Sequence, residues 1–87
     1  MNIKPKSIDI DPINKIMYVR FQDGMTHKTI EYKPEEVLLD LSRRGVLLGI
    51  EFLNLSVPRN ILNELSKEYH NPAIKKIHPL EAQKIFA

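Results

Sequence analysis

The sequence predicts an α+β fold: an antiparallel β-meander of four to five strands, followed by one amphipathic helix and a short C-terminal helix or loop. Three observations lead to this prediction. Between residues 7 and 53, apolar residues recur mainly at every second position, which is the period of a half-buried strand. Turn residues interrupt that alternation at short intervals. After Ser56 the apolar spacing changes to that of a helix.

Length and composition set the frame for these elements. The 87 residues predict a single domain over 1–87, with a β-sheet core at 7–56 and a helical C-terminal segment at 57–87. Hydrophobic residues make up 43% of the chain and charged residues 28%, which argues against a disordered protein. The lack of cysteine excludes disulfides, thiolate metal sites and cysteine nucleophiles. No apolar run reaches the roughly 18 residues of a membrane helix, and no signal peptide is visible, so we expect a cytoplasmic protein.

The first three strands are separated by turn residues. Ser7–Asp11 is the first strand and ends before Pro12, since proline fixes φ and is typical of turns. The second strand, 15–22, is followed by Asp23-Gly24, a dipeptide that predicts a hairpin into a third strand at 25–32. In the second strand, one face carries Met17, Val19 and Phe21, and the other carries Ile16, Tyr18 and Arg20.

Val37–Leu41 and residues 46–53 predict a second hairpin, whose turn ends on Gly45, a residue suited to a left-handed φ. Regular pairing would place an all-apolar set on one face as the main core: Val37, Leu39, Leu41, Val46, Leu48, Ile50 and Phe52. The second face would mix apolar residues, carboxylates and a glycine: Leu38, Asp40, Leu47, Gly49, Glu51 and Leu53. We expect either the helix or another subunit to cover this second face. A glycine inside a strand also predicts a close neighbour at Gly49.

The helix is predicted at about 58–70, with Ser56 as its cap and Pro58 in its first turn. Its apolar stripe consists of Ile61, Leu62, Leu65 and Tyr69. Asn71-Pro72 ends the helix. Residues 73–87 predict a loop and a short final helix that starts near Pro79.

Three segments carry a resemblance to a known family: Asp-Pro-Ile-Asn-Lys-Ile-Met-Tyr-Val-Arg-Phe at 11–21, Leu-Asp-Leu at 39–41, and Arg-Gly-Val-Leu-Leu-Gly-Ile-Glu-Phe-Leu at 44–53. Over about residues 7–56 the chain resembles the prokaryotic family of domains of unknown function numbered 2283. Arg44 stands where that family usually has an acidic residue, and Met17 replaces the usual leucine. The family has no assigned activity. Some members lie beside small toxin-like genes, so the resemblance implies an antitoxin-like or partner-binding role.

Asp40 and Glu51 would share the second face in neighbouring strands, and two interpretations follow. A carboxylate pair can bind a divalent cation or perform acid–base chemistry. Alternatively, each carboxylate accepts a hydrogen bond or forms an ion pair with Arg20, Lys28 or a helix residue, and so fixes the register. We favour the structural interpretation, because the sequence supplies no nucleophile or oxyanion donors around the pair.

A candidate interaction surface lies on the same face and consists of Tyr18, Leu38, Asp40, Leu47, Glu51 and Leu53. Tyrosine is enriched at interfaces, so Tyr18 suits a dimer or partner surface. Packing of Tyr18 beneath the helix is the commoner outcome, and we favour it.

The net charge is +2, and the excess lies in residues 58–87. A basic patch there would consist of Lys67, Lys75, Lys76 and Lys84. This is too few cations for a nucleic-acid stripe, and we favour a solvated surface. The three histidines, His27, His70 and His78, are too scattered to predict a metal site.

The sequence therefore predicts a non-enzymatic protein-interaction module, antitoxin-like by resemblance, with no catalytic residues, metal or cofactor. The expected partner is a second copy of the chain or a small toxin-like protein. We expect neither a nucleic acid nor a membrane as partner. The alternatives are a small metal-dependent or acid–base enzyme using Asp40 and Glu51, and a weak nucleic-acid binder using the C-terminal lysines. Because residues 57–87 lie outside the resemblance, we expect any function particular to this chain there.

Overall fold

The structure is a computed structural model that describes residues 4–79. Its elements are β1 (Ser7–Asp11), β2 (Ile16–Arg20), β3 (Lys28–Lys33), β4 (Val37–Leu41), β5 (Leu47–Phe52), α1 (Arg59–Glu68) and a 3-10 helix (Pro72–Lys76). The predicted α+β class is confirmed: a five-stranded antiparallel sheet precedes one helix and a short 3-10 turn. The final helix predicted after Pro79 lies outside the described residues. Within residues 4–79, no helix is both long and apolar enough to cross a membrane.

The strands lie in the order β1-β2-β5-β4-β3, and every neighbouring pair is antiparallel. The hairpin predicted at Asp23-Gly24 is therefore wrong, because β2 pairs with β5 and not with β3. Residues 21–27 instead carry the chain along the end of the sheet to its far edge. There the Phe21 amide donates to the Leu48 carbonyl (2.8 Å) and the His27 amide to the Leu41 carbonyl (2.9 Å). A turn dipeptide expresses only a local preference, whereas pairing with β5 aligns Val19 with Ile50 in the core.

A register shift in the β4–β5 pair changes which residues reach the core. Asp40 pairs with Gly49 but Leu41 pairs with Leu47, so Leu48 is an extra residue on β5. Such a bulge exchanges the faces of the residues beyond it. The core assignment of Val46 is therefore wrong, whereas Leu48 is buried as predicted. Leu47 lies in the core at 3% exposed, Leu48 is buried outside the core cluster, and Val46 is 42% exposed.

α1, the 3-10 helix and the following Ile77, here called the helical layer, pack on the apolar face of the sheet. From β2, β4 and β5 this face contributes Met17, Val19, Val37, Leu39, Leu41, Leu47, Ile50 and Phe52. The helical layer contributes Leu62, Leu65, Ala73, Ile74 and Ile77. The expectation that Tyr18 packs beneath the helix is wrong, since Tyr18 lies on the opposite face from its neighbours Met17 and Val19. The helix buries more apolar surface by covering the all-apolar side.

The helical layer is held together by polar contacts at its ends. The predicted cap Ser56 is wrong: α1 begins after Pro58, which provides no side-chain cap. The Arg59 guanidinium donates to the carbonyls of Lys75 (2.7 Å) and Ile77 and so joins the start of α1 to the end of the 3-10 helix. The Asn71 side chain caps the 3-10 helix by accepting from the Ala73 amide (3.0 Å). These contacts fix α1 and the 3-10 helix to each other, and the shared apolar cluster joins both to the sheet.

Candidate functional site

The side of the sheet opposite α1, here called the open face, is the candidate site. No helix within residues 4–79 packs on it. Strand register assigns its residues, because directly paired residues share a face. The open face consists of Ser7, Asp9, Asp11, Ile16, Tyr18, Arg20, Thr29, Glu31, Leu38, Asp40, Gly49 and Glu51.

A polar network crosses the open face from β2 to β3. The Tyr18 hydroxyl donates to Asp40 Oδ2 (2.8 Å), and the Thr29 hydroxyl donates to Asp40 Oδ1 (2.8 Å). Arg20 Nη2 donates to the Tyr18 hydroxyl oxygen (3.3 Å), and Arg20 Nη1 donates to the Gln22 carbonyl (3.3 Å). The Arg20 guanidinium carbon also lies 5.5 Å from the centroid of the Tyr18 ring, within cation–π range. Each oxygen of Asp40 therefore accepts one hydrogen bond.

Gly49 allows this network to form, because it leaves room for the Tyr18 ring above β5. β5 lies between β2 and β4, so the Tyr18 side chain must cross β5 to reach Asp40. A Cβ at position 49 would lie 2.7 Å from Tyr18 Cζ and 2.9 Å from the Val19 carbonyl oxygen. The predicted close neighbour at Gly49 is confirmed, and it is the ring of Tyr18.

The network also sets the protonation of Tyr18. Burial, followed by the hydrogen bond to Asp40 and the Asp40 charge, raises the pKa of Tyr18 from 10.0 to about 12. The phenol therefore keeps its proton at neutral pH. In this arrangement Tyr18 is a fixed hydrogen-bond donor and not a phenolate base.

Asp40 and Glu51 share the open face, as predicted, but they occupy different surroundings. Asp40 lies opposite Gly49, and Glu51 lies opposite Leu38. The donors to Asp40 are Tyr18 and Thr29. Arg20 reaches this network only through Tyr18. No cluster of three or more histidine, aspartate or glutamate residues that could hold a metal ion occurs within residues 4–79.

The other residues of the predicted interaction surface divide between two sides of the sheet. Leu38 is half-buried on the open face, between Glu31 of β3 and Glu51 of β5. Leu53 follows β5, is half-buried, and donates its amide to the Glu36 carbonyl (2.8 Å). The assignment of Leu47 to this surface is wrong, because the bulge turns it into the core.

Charge is the property of the open face that sequence reasoning missed. It carries five carboxylates, those of Asp9, Asp11, Glu31, Asp40 and Glu51, and a single guanidinium, that of Arg20. The signal was present in β1, where Asp9 and Asp11 alternate with Ile8 and Ile10. The correct strand order was needed to join these charges to those of β3, β4 and β5.

The five carboxylates differ in the hydrogen bonds that they accept. Asp40 is in the network, and Asp11 accepts from the amides of Ile13 (3.0 Å) and Asn14 (3.1 Å) in the β1–β2 turn. Hydrogen bonds from Asn14, the side chain first, lower the pKa of Asp11. The other three side chains form no hydrogen bond or ion pair with the described residues: Asp9, Glu31 and Glu51.

The predicted basic patch lies in the helical layer, away from the open face. Lys67 is exposed in the last turn of α1, and Lys75 and Lys76 are exposed at the end of the 3-10 helix. Lys84 lies outside the described residues. The three histidines are exposed in separate segments, before β3, after α1 and after the 3-10 helix.

A groove of about 660 Å³ is present at the end of α1. Its walls include Phe21, Val46, Tyr69 and His70. Its lining mixes apolar residues with Lys4, Glu68 and Asn71, so its composition singles out no class of ligand.

Comparison with protein families gives the same relationship that the sequence motifs predicted. The family model described as "Protein of unknown function (DUF2283)" matches residues 7–56, which run from the start of β1 to just before α1. No curated protein and no solved structure matches the chain significantly. Since the match covers more than half of the 87 residues, this chain belongs to the DUF2283 family.

Proposed function

We propose that the protein is a non-enzymatic interaction module whose open face binds a small protein partner. The observation that carries this proposal is the one-sided packing of the sheet. The buried apolar residues of the described helical layer form one cluster with those of the other face. The open face retains half-buried Tyr18, Arg20 and Leu38 without a covering layer among residues 4–79.

The composition and rigidity of the open face support this use. Tyrosine and arginine are enriched at protein interfaces, where they offer both apolar area and hydrogen bonds. Here the side chains of Tyr18 and Arg20 are already ordered by their bonds to Asp40 and Gln22. A pre-ordered surface loses less conformational entropy when it binds.

The same network favours a structural use of Asp40 over acid–base catalysis. A general base must bring an oxygen within hydrogen-bond reach of the proton that it removes. Both Asp40 oxygens already accept hydrogen bonds, and its neighbour Tyr18 retains its proton. The resemblance to a family with some members encoded beside toxin-like genes supports a small toxin-like protein as the partner, and the proposed role is antitoxin-like.

The test is affinity purification of the tagged full chain from its own cells, followed by mass spectrometry and light scattering. The wild-type chain is expected to recover a small protein in a stoichiometric complex. The double variant Ile16→Gln, Leu38→Gln on the open face should lose that protein. A matched control, Ile13→Gln with Met25→Gln, changes two apolar residues that are each 88% exposed and should retain it.

Two results would overturn the proposal. One is recovery of the bare monomer by the wild-type chain. The other is a partner that stays bound to the open-face variant, provided that circular dichroism shows this variant to be folded. The chain could instead form a dimer that the open-face variant disrupts. The open face would then still be an interaction surface, but its partner would be a second copy of the chain.

A further inference from the structure

We infer that the partner on the open face is a protein that presents a cationic surface, with arginine or lysine side chains spread across the width of the sheet. This inference rests on the proposed function and specifies the chemistry of the partner. Its basis is the distribution of charge, which the fold separates between two sides of the molecule.

The open face is acidic although the whole chain is basic. Its five carboxylates and one guanidinium give it a net charge of −4, against +2 for the chain. The rest of the chain then holds twelve of the thirteen basic residues and six of the eleven acidic ones. Complementary charge guides association and suppresses partners of the wrong sign. A cationic partner fits this face, whereas a phosphate backbone is repelled by it.

The unengaged carboxylates define the footprint of that partner. Asp9 lies on β1, Glu51 on the central strand β5, and Glu31 on β3, the opposite edge strand. With neighbouring strands about 4.8 Å apart, these acceptors span about 19 Å. A single metal ion or small cation cannot contact all of them, but several basic side chains of a protein surface can. The half-buried Tyr18 and Leu38 lie between the acceptors and offer apolar contact.

A second copy of this chain fits the face poorly. Two open faces meeting across a two-fold axis would bring like charges together, which destabilises the contact. The basic helical layer of one copy on the open face of another would form a heterologous contact, which generates rings or open chains instead of a closed dimer. The charge distribution therefore points to a different protein.

The first arm of the test uses a defined probe and the full chain labelled with ¹⁵N. The probe is a synthetic helical peptide with arginine and lysine along one side and leucine on the other; its counterpart carries glutamate in place of each basic residue. We expect the basic peptide to shift the amide resonances of the open-face strands and to leave those of α1 unchanged. Its affinity should fall about tenfold when the Debye length is shortened from about 30 Å to about 8 Å by added salt. The glutamate peptide should not bind.

Charge variants then test the carboxylates directly. Glu31→Gln with Glu51→Gln should weaken binding of the basic peptide about fivefold to tenfold. Glu64→Gln with Glu68→Gln removes the same charge from α1 and should change the affinity for the basic peptide less than twofold. Equal effects of the two pairs, shifts centred on the helical layer, or affinity independent of salt would each overturn the inference.

The second arm repeats the same two pairs with the protein captured by the tagged chain. One result would separate the two proposals: the Ile16→Gln, Leu38→Gln variant loses that protein, but the Glu31→Gln, Glu51→Gln variant binds it as wild type does. The interaction module would then stand, and the inference of a cationic partner would be wrong. If no protein is captured, the proposed function fails, and the peptide measurements still decide whether the face selects cations. Thermal unfolding of both charge variants checks that each remains folded.

Discussion

Tyr18 connects the packing of the sheet to the character of its open face. Its ring lies across Gly49, its hydroxyl donates to Asp40, and Arg20 donates to that hydroxyl. Each contact depends on the others, because the hydroxyl reaches Asp40 only where β5 has no side chain. Three predictions at the scale of single residues follow from this geometry.

Gly49→Ala should destabilise the protein by about 2 kcal/mol, within the range for overpacking a well-packed site. The added methyl group would overlap the Tyr18 ring and the Val19 carbonyl, and the backbone oxygen cannot move aside cheaply. Chemical denaturation measures the loss. Gly45→Ala is the control: its φ is +81° but nothing lies within 4 Å, so only the left-handed backbone cost of about 1 kcal/mol applies. A Gly49 variant as stable as wild type would contradict the close packing.

Tyr18→Phe should cost about 1 kcal/mol at neutral pH, because half-buried Asp40 loses a donor. Tyr69→Phe is the control, since the Tyr69 hydroxyl forms no hydrogen bond with the described residues. It should cost less. Urea unfolding of both variants beside wild type gives the comparison.

The advantage of wild type over Tyr18→Phe should also depend on pH. The folded pKa of about 12 exceeds the ordinary value of 10.0, so the unfolded chain ionises Tyr18 first. The contribution of the neutral phenol is therefore complete below pH 10 and is lost as the pH rises toward 12. Unfolding free energies of the two proteins, measured across this interval, should converge. An unchanged difference would show that the Tyr18 pKa is not raised.

At the scale of elements, α1 and the 3-10 helix complete a core that the sheet cannot close. Leu62, Leu65, Ile74 and Ile77 are each at most 1% exposed. They lie in the cluster that covers β2, β4 and β5. The region that matches the family ends before all four of them.

A chain truncated after Ser56 should therefore not fold cooperatively. At about 2 kcal/mol for each buried aliphatic side chain, four such residues supply about as much as the roughly 5–15 kcal/mol by which small domains are stable. Thermal unfolding followed by circular dichroism tests this. Lys75→Gln with Lys76→Gln, which changes only exposed residues of the same layer, should unfold as wild type does. A sharp transition in the truncated chain would show that the sheet folds alone.

At the scale of the whole molecule, acidic residues are concentrated on the open face, although the order of charges along the sequence shows no such separation. Residues 1–57 hold eight basic and eight acidic residues, a balance that suggests no polarity. Successive side chains of a strand point to opposite faces of the sheet, so alternate residues of each strand share a face. Strand pairing then brings the acidic residues of β1, β3, β4 and β5 together on the same face. The acidic open face arises from this sorting and not from an acidic segment.

Much of this arrangement follows from local patterns in the sequence. Alternation located the strands and placed Tyr18, Arg20, Asp40 and Glu51 on one side, and the change of period located α1. The motifs around Gly49 identified the family. These features depend on residues close together in the chain, where period and turn chemistry act directly.

Tertiary contacts set the strand order, the bulge at Leu48 and the side of the sheet that the helix covers. Each of these depends on contacts between residues distant in the chain. β2 pairs with β5 because that alignment extends the apolar core, against the local hairpin preference of Asp23-Gly24. The extra residue at Leu48 then brings Leu47 into the core. The helix packs on the side where it buries the most apolar surface, and no helix within residues 4–79 covers the acidic face opposite, where burial of unpaired carboxylates would be costly.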